Sequence, residues 1–144
     1  NIPVRYLFLS NSKRYVQLAT ALSRNGGSMK IIATSNITSA SQDFSYVLNY
    51  GELLDMEAEI QDNPLLMLLK LLADCRVRSV ALAGFDGYDR ARTSNYVNAN
   101  MEYTFTKEKA HEINEDVRRG LARAALSQKI TFITDSFYIE GCEK

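Results

Sequence analysis

Short apolar segments alternate with helical patterns along this chain, and this alternation constrains the fold more than any other feature of the sequence. Apolar segments that read as strands lie at residues 4–9, 29–33, 44–48, 77–83 and 130–133. The fourth of these is almost continuously apolar, which is typical of a central strand in a parallel sheet. The order β-α-β-β-α-β-α-β predicts a mostly parallel sheet with helices packed on both faces.

The helical patterns differ in how many of their faces are apolar. Residues 15–22 and 110–124 carry apolar residues at the spacing of one helix face, which predicts amphipathic helices. Residues 64–72 are apolar nearly all round, which predicts a helix buried on more than one side. Such a helix also offers a surface for a partner subunit or domain. A brief acidic helix is expected at residues 52–60.

Charged residues of the last helix are expected on its exposed face. Arg118, Arg119 and Arg123 share this helix with acidic residues that include Asp116. Opposite charges one helical turn apart form ion pairs on a solvated surface. We interpret these residues as such a surface and assign them no functional role.

These patterns predict an α/β fold, a three-layer Rossmann-like sandwich. We expect a mostly parallel five-stranded sheet in the order 3-2-1-4-5, with the crevice between strands 1 and 4 as the topological switch point. The chain has 144 residues, about the length of one domain. We therefore predict a single domain over residues 1–144. The chain begins at Asn1 rather than Met, which predicts a domain excised from a longer protein.

Composition disfavours several classes of function. Basic and acidic residues number 17 each, whereas nucleic-acid binding requires a basic surplus or stripe. No apolar run reaches the roughly 18 residues of a membrane span. Cys75 and Cys142 lie far apart and His111 is the only histidine, so that no metal-ligand spacing exists. We expect a cytoplasmic setting, no membrane or nucleic-acid partner, no metal and no cofactor.

The segment Gly84-Phe85-Asp86-Gly87-Tyr88, here called the 84–88 segment, is the strongest candidate for a binding site. It follows the fourth strand directly, and ligands of parallel α/β sheets bind where strands end. Gly84 would let a ligand approach the backbone, Gly87 allows a positive φ, and Asp86 supplies two acceptor oxygens. An alternative is a tight turn in which Asp86 bonds its own backbone.

Polar residues at the other strand ends complete the candidate ligand site. They are Ser10, Asn11 and Lys13 after the first strand, Thr34 and Ser35 at the second, and Asp135 after the fifth. We predict that they bind a polar small molecule, with Asp86 on sugar hydroxyls, a tyrosine such as Tyr88 stacked on a ring, and the first helix N-terminus on an anionic group. Asp86 and Asp135 are also candidates for a carboxylate pair. No catalytic residue is predicted, and the loop at residues 10–13 lacks the glycines of dinucleotide and triphosphate sites.

Three stretches of sequence resemble a known family. Residues 83–88, the early run Ser10-Asn11-Ser12-Lys13-Arg14-Tyr15 and the Tyr/Asn-rich loop after Tyr88 resemble the C-terminal accessory domain of bacterial 4-hydroxy-2-oxovalerate aldolase or HMG-CoA-lyase-like proteins. The resemblance covers most of the chain. It implies a non-catalytic domain that binds a polar metabolite or mediates assembly, including that of a homo-oligomer. The metal and the HxH pair would belong to a TIM-barrel domain of the parent chain, encoded among surface-polysaccharide genes.

The Ala-Gly-Phe-Asp run at residues 83–86 is also similar to the nucleotide-sugar-binding α/β domain of bacterial sialyltransferase-like proteins. That family has a glycine-containing first loop, from which residues 10–13 depart. The resemblance implies an alternative function, a sugar-nucleotide-binding glycosyltransferase-like domain of surface-polysaccharide biosynthesis. In that alternative Asp86 and Asp135 would contact the substrate.

Overall fold

A computed structural model describes residues 3–24, 29–38, 44–92, 95 and 105–139. Its elements are, in order, β1 (Tyr6–Leu9), α1 (Ser12–Arg24), β2 (Lys30–Thr34), β3 (Tyr46–Leu48), α2 (Tyr50–Leu53), α3 (Pro64–Asp74), β4 (Ser79–Leu82), α4 (Phe105–Glu108), α5 (Ala110–Ala124) and β5 (Lys129–Phe132). The chain divides into two compact units, Asn1–Leu54 and Asp55–Lys144. None of the helices in the described part of the chain is long and apolar enough to cross a membrane.

The first unit is built on a parallel three-stranded sheet in the order β1-β2-β3. α1 covers one face, where Tyr15 and Leu18 pack against a core of Leu9, Ala33 and Ile37. Tyr15 and Leu18, which belong to the apolar pattern that predicted an amphipathic helix, are thus residues with which α1 packs on the sheet. The polar ends of β1 and β2 lie at the same edge, because the two strands are parallel and in register.

The second unit pairs β4 with β5 in parallel and covers one face of the pair with α3 and α5. Its core includes Leu66, Leu82 and Val117. α3 and α5 approach closely at Gly120, where a Cβ atom would overlap the side chain of Leu66. The absence of a side chain at Gly120 thus lets the two helices pack against each other.

α3 is buried within the chain, as its apolar character predicted. Leu65, Leu66, Met67 and Leu69 are all buried. The Asn63 side chain caps the helix by accepting hydrogen bonds from the first turn, at 3.0 Å from the Leu65 amide. The other residues of the helix are half-buried or exposed, and an assembly role for α3 stays a prediction.

The predicted five-stranded sheet in the order 3-2-1-4-5 is not what the structure shows. The described strands form one three-stranded sheet, β1-β2-β3, and one two-stranded sheet, β4-β5. The α/β class, the parallel direction and the order within each half agree with the sequence. The prediction of one continuous sheet does not agree with the structure. An apolar run identifies a strand but carries no information on which strands pair with each other. The single domain over residues 1–144 stays a prediction.

The acidic helix expected at residues 52–60 is replaced by the short α2 and a series of turns. Asp116, expected on an exposed face of α5, is buried and holds these turns. Its carboxylate accepts hydrogen bonds from the amides of Glu59 at 3.2 Å and Ile60 at 3.0 Å, and pairs with Arg119. Burial would raise the pKa of Asp116, but the two amide hydrogen bonds and Arg119 outweigh it and lower the pKa below its ordinary value.

Candidate functional site

The backbone of the 84–88 segment is held by the residues that follow β5, here called the 133–139 segment. Gly84, Phe85 and Asp86 each make one backbone hydrogen bond to the 133–139 segment. These bonds join the Gly84 amide to Thr134 Oγ1 at 2.9 Å, the Ser136 hydroxyl to the Phe85 carbonyl at 2.6 Å, and the Phe137 amide to the Asp86 carbonyl at 2.8 Å. The loops after β4 and β5 therefore run side by side.

A buried amide on α5 fixes the other end of the segment. Asn114 is 6 % exposed, and its Oδ1 accepts from the Tyr88 amide at 2.9 Å while its Nδ2 donates to the Tyr88 carbonyl at 2.8 Å. Both backbone groups of Tyr88 are thus paired by one side chain. The Tyr88 side chain is half-buried and packs against the core of the second unit.

Both glycines of the segment adopt the left-handed conformation, with φ of 74° at Gly84 and 84° at Gly87. A Cβ atom at Gly87 would lie 3.0 Å from Phe137 Cβ and 3.1 Å from Asn114 Oδ1. A side chain at this position is therefore disfavoured both by steric crowding and by the positive φ. A Cβ atom at Gly84 would meet no atom within 4 Å. The backbone at Gly84 is therefore open to the approach of a ligand.

The Asp86 carboxylate does not shape the turn that contains it. Its contact in the described part of the chain is Arg92, whose Nη1 lies 3.6 Å from Asp86 Oδ2, and the Asp86 side chain is 45 % exposed. An exposed pair at this distance contributes little to stability. The alternative of a turn closed by the Asp86 side chain is therefore not what the structure shows.

Beyond the 84–88 segment, the side-chain amide of Asn95 forms hydrogen bonds with both backbone groups of Asp89, as Asn114 does with Tyr88. Asn95 Oδ1 accepts from the Asp89 amide at 2.7 Å, and Asn95 Nδ2 donates to the Asp89 carbonyl at 3.2 Å. The Asp89 carboxylate accepts from the Ala91 amide at 2.8 Å and lies 3.9 Å from Arg92 Nε. Arg92 is thus placed between the carboxylates of Asp86 and Asp89.

Asp135 lies on the 133–139 segment between two residues that hold the 84–88 segment, Thr134 and Ser136. Its side chain is exposed and makes no hydrogen bond or ion pair within the described residues. Asp86 and Asp135 therefore lie on adjacent segments, as a carboxylate pair across neighbouring strand ends would require.

In the first unit, the polar residues after β1 and β2 bond mainly to one another. The buried Thr34 hydroxyl donates to Asn36 Oδ1 at 2.5 Å, and Asn36 Nδ2 donates to the Ser10 carbonyl at 3.1 Å. Ser35 Oγ accepts from the Tyr50 amide at 3.1 Å, which ties the end of β2 to the start of α2. The hydroxyls of Thr34 and Ser35 are thus already hydrogen-bonded within the protein, and a ligand would have to share them with these partners.

The start of α1 combines a capped helix with one buried hydroxyl. Asn11 Oδ1 accepts from the Arg14 amide at 3.2 Å, which is a capping bond at the helix N-terminus, and Lys13 is exposed in the first turn. Ser10 is 5 % exposed, and its hydroxyl has no hydrogen-bond partner in the described part of the chain. An unpaired buried hydroxyl costs about 1–3 kcal/mol.

The predicted site residues therefore form two groups, one in each unit. Ser10, Asn11, Lys13, Thr34 and Ser35 lie at the ends of β1 and β2, and Gly84, Asp86, Gly87, Tyr88 and Asp135 lie after β4 and β5. A single site made of both groups stays a prediction.

Two residues of α5 that support the site were not predicted to do so. Asn114 lies on the buried stripe of an amphipathic helix, where an amide side chain signals a buried hydrogen-bond partner. Arg118, predicted to be exposed, is partly buried, and its Nε donates to the Phe137 carbonyl at 2.7 Å. No signal in the sequence identifies that partner, because it lies 19 residues away in a different segment.

The chemistry of the second group is that of hydrogen bonding and charge. Asp86 and Asp135 offer acceptor oxygens and Arg92 offers guanidinium donors. Among the described residues, no group of three or more His, Cys, Asp or Glu side chains is placed to hold a metal ion. Comparison with known proteins returned no matching family model, no matching curated protein and no matching solved structure.

Proposed function

We propose that this chain is an accessory, non-catalytic domain that binds a polar, hydroxylated small molecule at the 84–88 segment, with Asp86 as the principal acceptor. One observation supports this most: Asn114, Thr134 and Ser136 hold the segment, while the Asp86 carboxylate takes no part in its shape. A site that is ordered before binding loses little conformational entropy when its ligand arrives. The proposal requires only the β4–β5 pair and does not depend on the strand order 3-2-1-4-5.

The side chains around the segment favour a ligand with several hydroxyl groups. The carboxylates of Asp86 and Asp135 accept hydrogen bonds from hydroxyls, and Arg92 donates to a ligand oxygen. The open backbone at Gly84 accommodates a ring or chain close to the main chain. Recognition of hydroxyl groups by paired carboxylates is specific, because a ligand without the hydroxyl leaves these acceptors without donors.

We assign the domain to a bacterial aldolase-like, oxo-acid lyase protein of the cytoplasm. The resemblance of residues 83–88 and 10–15 supports this assignment. The metal and the catalytic residues of such a protein would reside in a TIM-barrel domain of the parent chain. Binding of a substrate or product by the accessory domain would then raise its concentration near the barrel.

A sugar-nucleotide-binding, glycosyltransferase-like domain is the second candidate function. The adjacency of the segments that carry Asp86 and Asp135 favours it, since two carboxylates can engage several sugar hydroxyls at once. The two candidates differ in the ligand: the first requires a hydroxylated acid or polyol, the second a nucleotide attached to the sugar.

Thermal unfolding in the presence of small molecules tests the proposal. The probes are gluconate, glucose and UDP-glucose, and the variant is Asp86→Asn. We expect one or more probes to raise the Tm of the wild-type chain and to lose this effect in the variant. Without a probe, the Tm of the variant should equal that of the wild type, because the Asp86 carboxylate does not hold the loop.

Asp74→Asn is the matched control, because it removes an exposed carboxylate at the end of α3, outside the proposed site. A probe effect that is equal in wild type, Asp86→Asn and Asp74→Asn would overturn the assignment of the site. If no probe stabilises the wild-type chain, the proposed ligand class is wrong. Stabilisation by UDP-glucose alone would favour the second candidate.

A further inference from the structure

β5 is an edge strand whose outer side presents backbone hydrogen-bonding groups. In a parallel pair, alternate residues direct both N–H and C=O to the same neighbour. The Lys129 amide donates to the carbonyl of Arg78, the residue before β4, at 2.8 Å, and the Ile133 amide donates to the Leu82 carbonyl at 2.7 Å. The backbone groups of Ile130 and Phe132 therefore point to the opposite edge, which no strand in the described part of the chain covers.

An open groove of about 550 Å³ lies between α5 and β5. Ile130 and Phe132 line it on the strand side, and its helix side combines charged with apolar residues, namely Glu115, Arg118, Arg119, Leu121, Ala122 and Ala125. Ile130 and Phe132 also pack against the core of the second unit. The groove is thus an incompletely covered side of this core, beside unpaired backbone groups, and such an edge favours the addition of another strand.

We propose that a second copy of this chain covers this edge, with β5 paired antiparallel to β5 of the partner about a twofold axis at Thr131. In this register Ile130 lies opposite Phe132 of the partner, and the reverse pair is related by symmetry. Both residues direct N–H and C=O outwards, so each pair exchanges two backbone hydrogen bonds. The contact is isologous, which is the usual form of a dimer interface.

The side chains of β5 suit this self-pairing on both faces of the sheet. On the groove face, apolar Ile130 meets apolar Phe132. On the other face, Thr131 meets Thr131 of the partner, which is a favourable cross-strand pair. Lys129 lies opposite Ile133 of the partner, so no like charges face each other.

Two further observations favour a second copy as the occupant. Ile133 is 70 % exposed at the end of the same edge, and the proposed pairing covers it. The whole chain has a net charge of zero, so that two copies do not repel each other at long range. This assembly is independent of the ligand proposed for the 84–88 segment, because Asp86 takes no part in it.

Sedimentation of the full chain at rising concentration tests the dimer. We expect the wild type to dimerise and Thr131→Glu to raise the dimer Kd by about fivefold or more, since like charges would lie directly opposite each other. The Thr131 side chain is exposed, so the variant should fold. Ala81→Glu is the control, because Ala81 is exposed and pairs with Thr131 on the inner strand, away from the edge.

Cross-linking tests the register itself. In a Cys75→Ser, Cys142→Ser background, Thr131→Cys should form a disulfide between two copies under mild oxidation, because residues opposite each other on the axis are within disulfide reach. Ala81→Cys should not. A wild-type chain that stays monomeric at the highest concentration, or a dimer that Thr131→Glu does not weaken and Thr131→Cys does not cross-link, would overturn the proposal.

Discussion

At the scale of single residues, a few buried polar side chains decide the shape of the candidate site. Asn114 alone forms hydrogen bonds with both backbone groups of Tyr88, and the Ser136 hydroxyl donates a hydrogen bond to the Phe85 carbonyl. Each of these side chains has a low exposure, so the hydrogen bonds are made away from competing water. Asp86 is placed by these neighbours, not by its own bonds.

Replacing Asn114 by alanine is expected to destabilise the second unit by about 1–3 kcal/mol, because the amide and the carbonyl of Tyr88 lose their partner. Chemical denaturation measures this loss as a fall in the free energy of unfolding. His111→Ala, an exposed change on the same helix, is the control and should lie within about 0.5 kcal/mol of the wild type. Equal stability of all three chains would show that the Asn114 pairing is dispensable.

Asp116 is expected to make stability depend on acidity. Its folded pKa lies below the ordinary value of 3.8, so its contribution to stability is fully present above that ordinary value and is lost as the pH falls through the folded pKa. We expect the free energy of unfolding to fall more steeply between about pH 5 and pH 3 in the wild type than in Asp116→Asn. Parallel pH profiles for the two chains would contradict this role of Asp116.

At the scale of elements, the packing of α3 against α5 depends on the small size of Gly120. Alanine favours a helix over glycine by about 1 kcal/mol, so propensity alone predicts that Gly120→Ala stabilises α5. The overlap with Leu66 predicts the opposite. We expect a net loss of about 1–3 kcal/mol in the free energy of unfolding, measured by denaturation.

A second substitution separates the two effects. In a Leu66→Ala background the overlap is absent, and Gly120→Ala should then be neutral or stabilising. Destabilisation of equal size in both backgrounds would mean that the contact with Leu66 is not its cause.

Elements were predictable where local spacing decides them. The apolar stripe of α1, the all-round apolar α3 and the apolar run of β4 each correspond to an observed element. The prediction of a helix at residues 52–60 was wrong. The acidic composition of this stretch suits a helix, but the distant carboxylate of Asp116 binds the amides of Glu59 and Ile60 and holds the chain in turns. Such long-range pairing leaves no periodic trace in the sequence.

At the scale of the whole molecule, the chain has two compact units, each with its own parallel sheet. The positions of the candidate residues at strand ends followed from the sequence, because polar clusters interrupt the apolar runs. Their division into two groups did not, since it depends on which strands pair. The partners of Arg118 and Asn114 were equally hidden, because both side chains bond across long sequence separations.

The bonds between the loops after β4 and β5 join residues 50 and 51 positions apart in sequence. The proposed binding surface therefore forms only when segments distant in the sequence have come together, so folding must precede any recognition. A fragment that ends before Thr134 retains Asp86 and both glycines but lacks Thr134, Ser136 and Phe137, which bond to the 84–88 segment. Conversely, a ligand present at a hundredfold excess over its Kd would protect the whole second unit by about 2.7 kcal/mol. Resistance of this unit to proteolysis would then report occupancy of the loop, even with no reaction to follow.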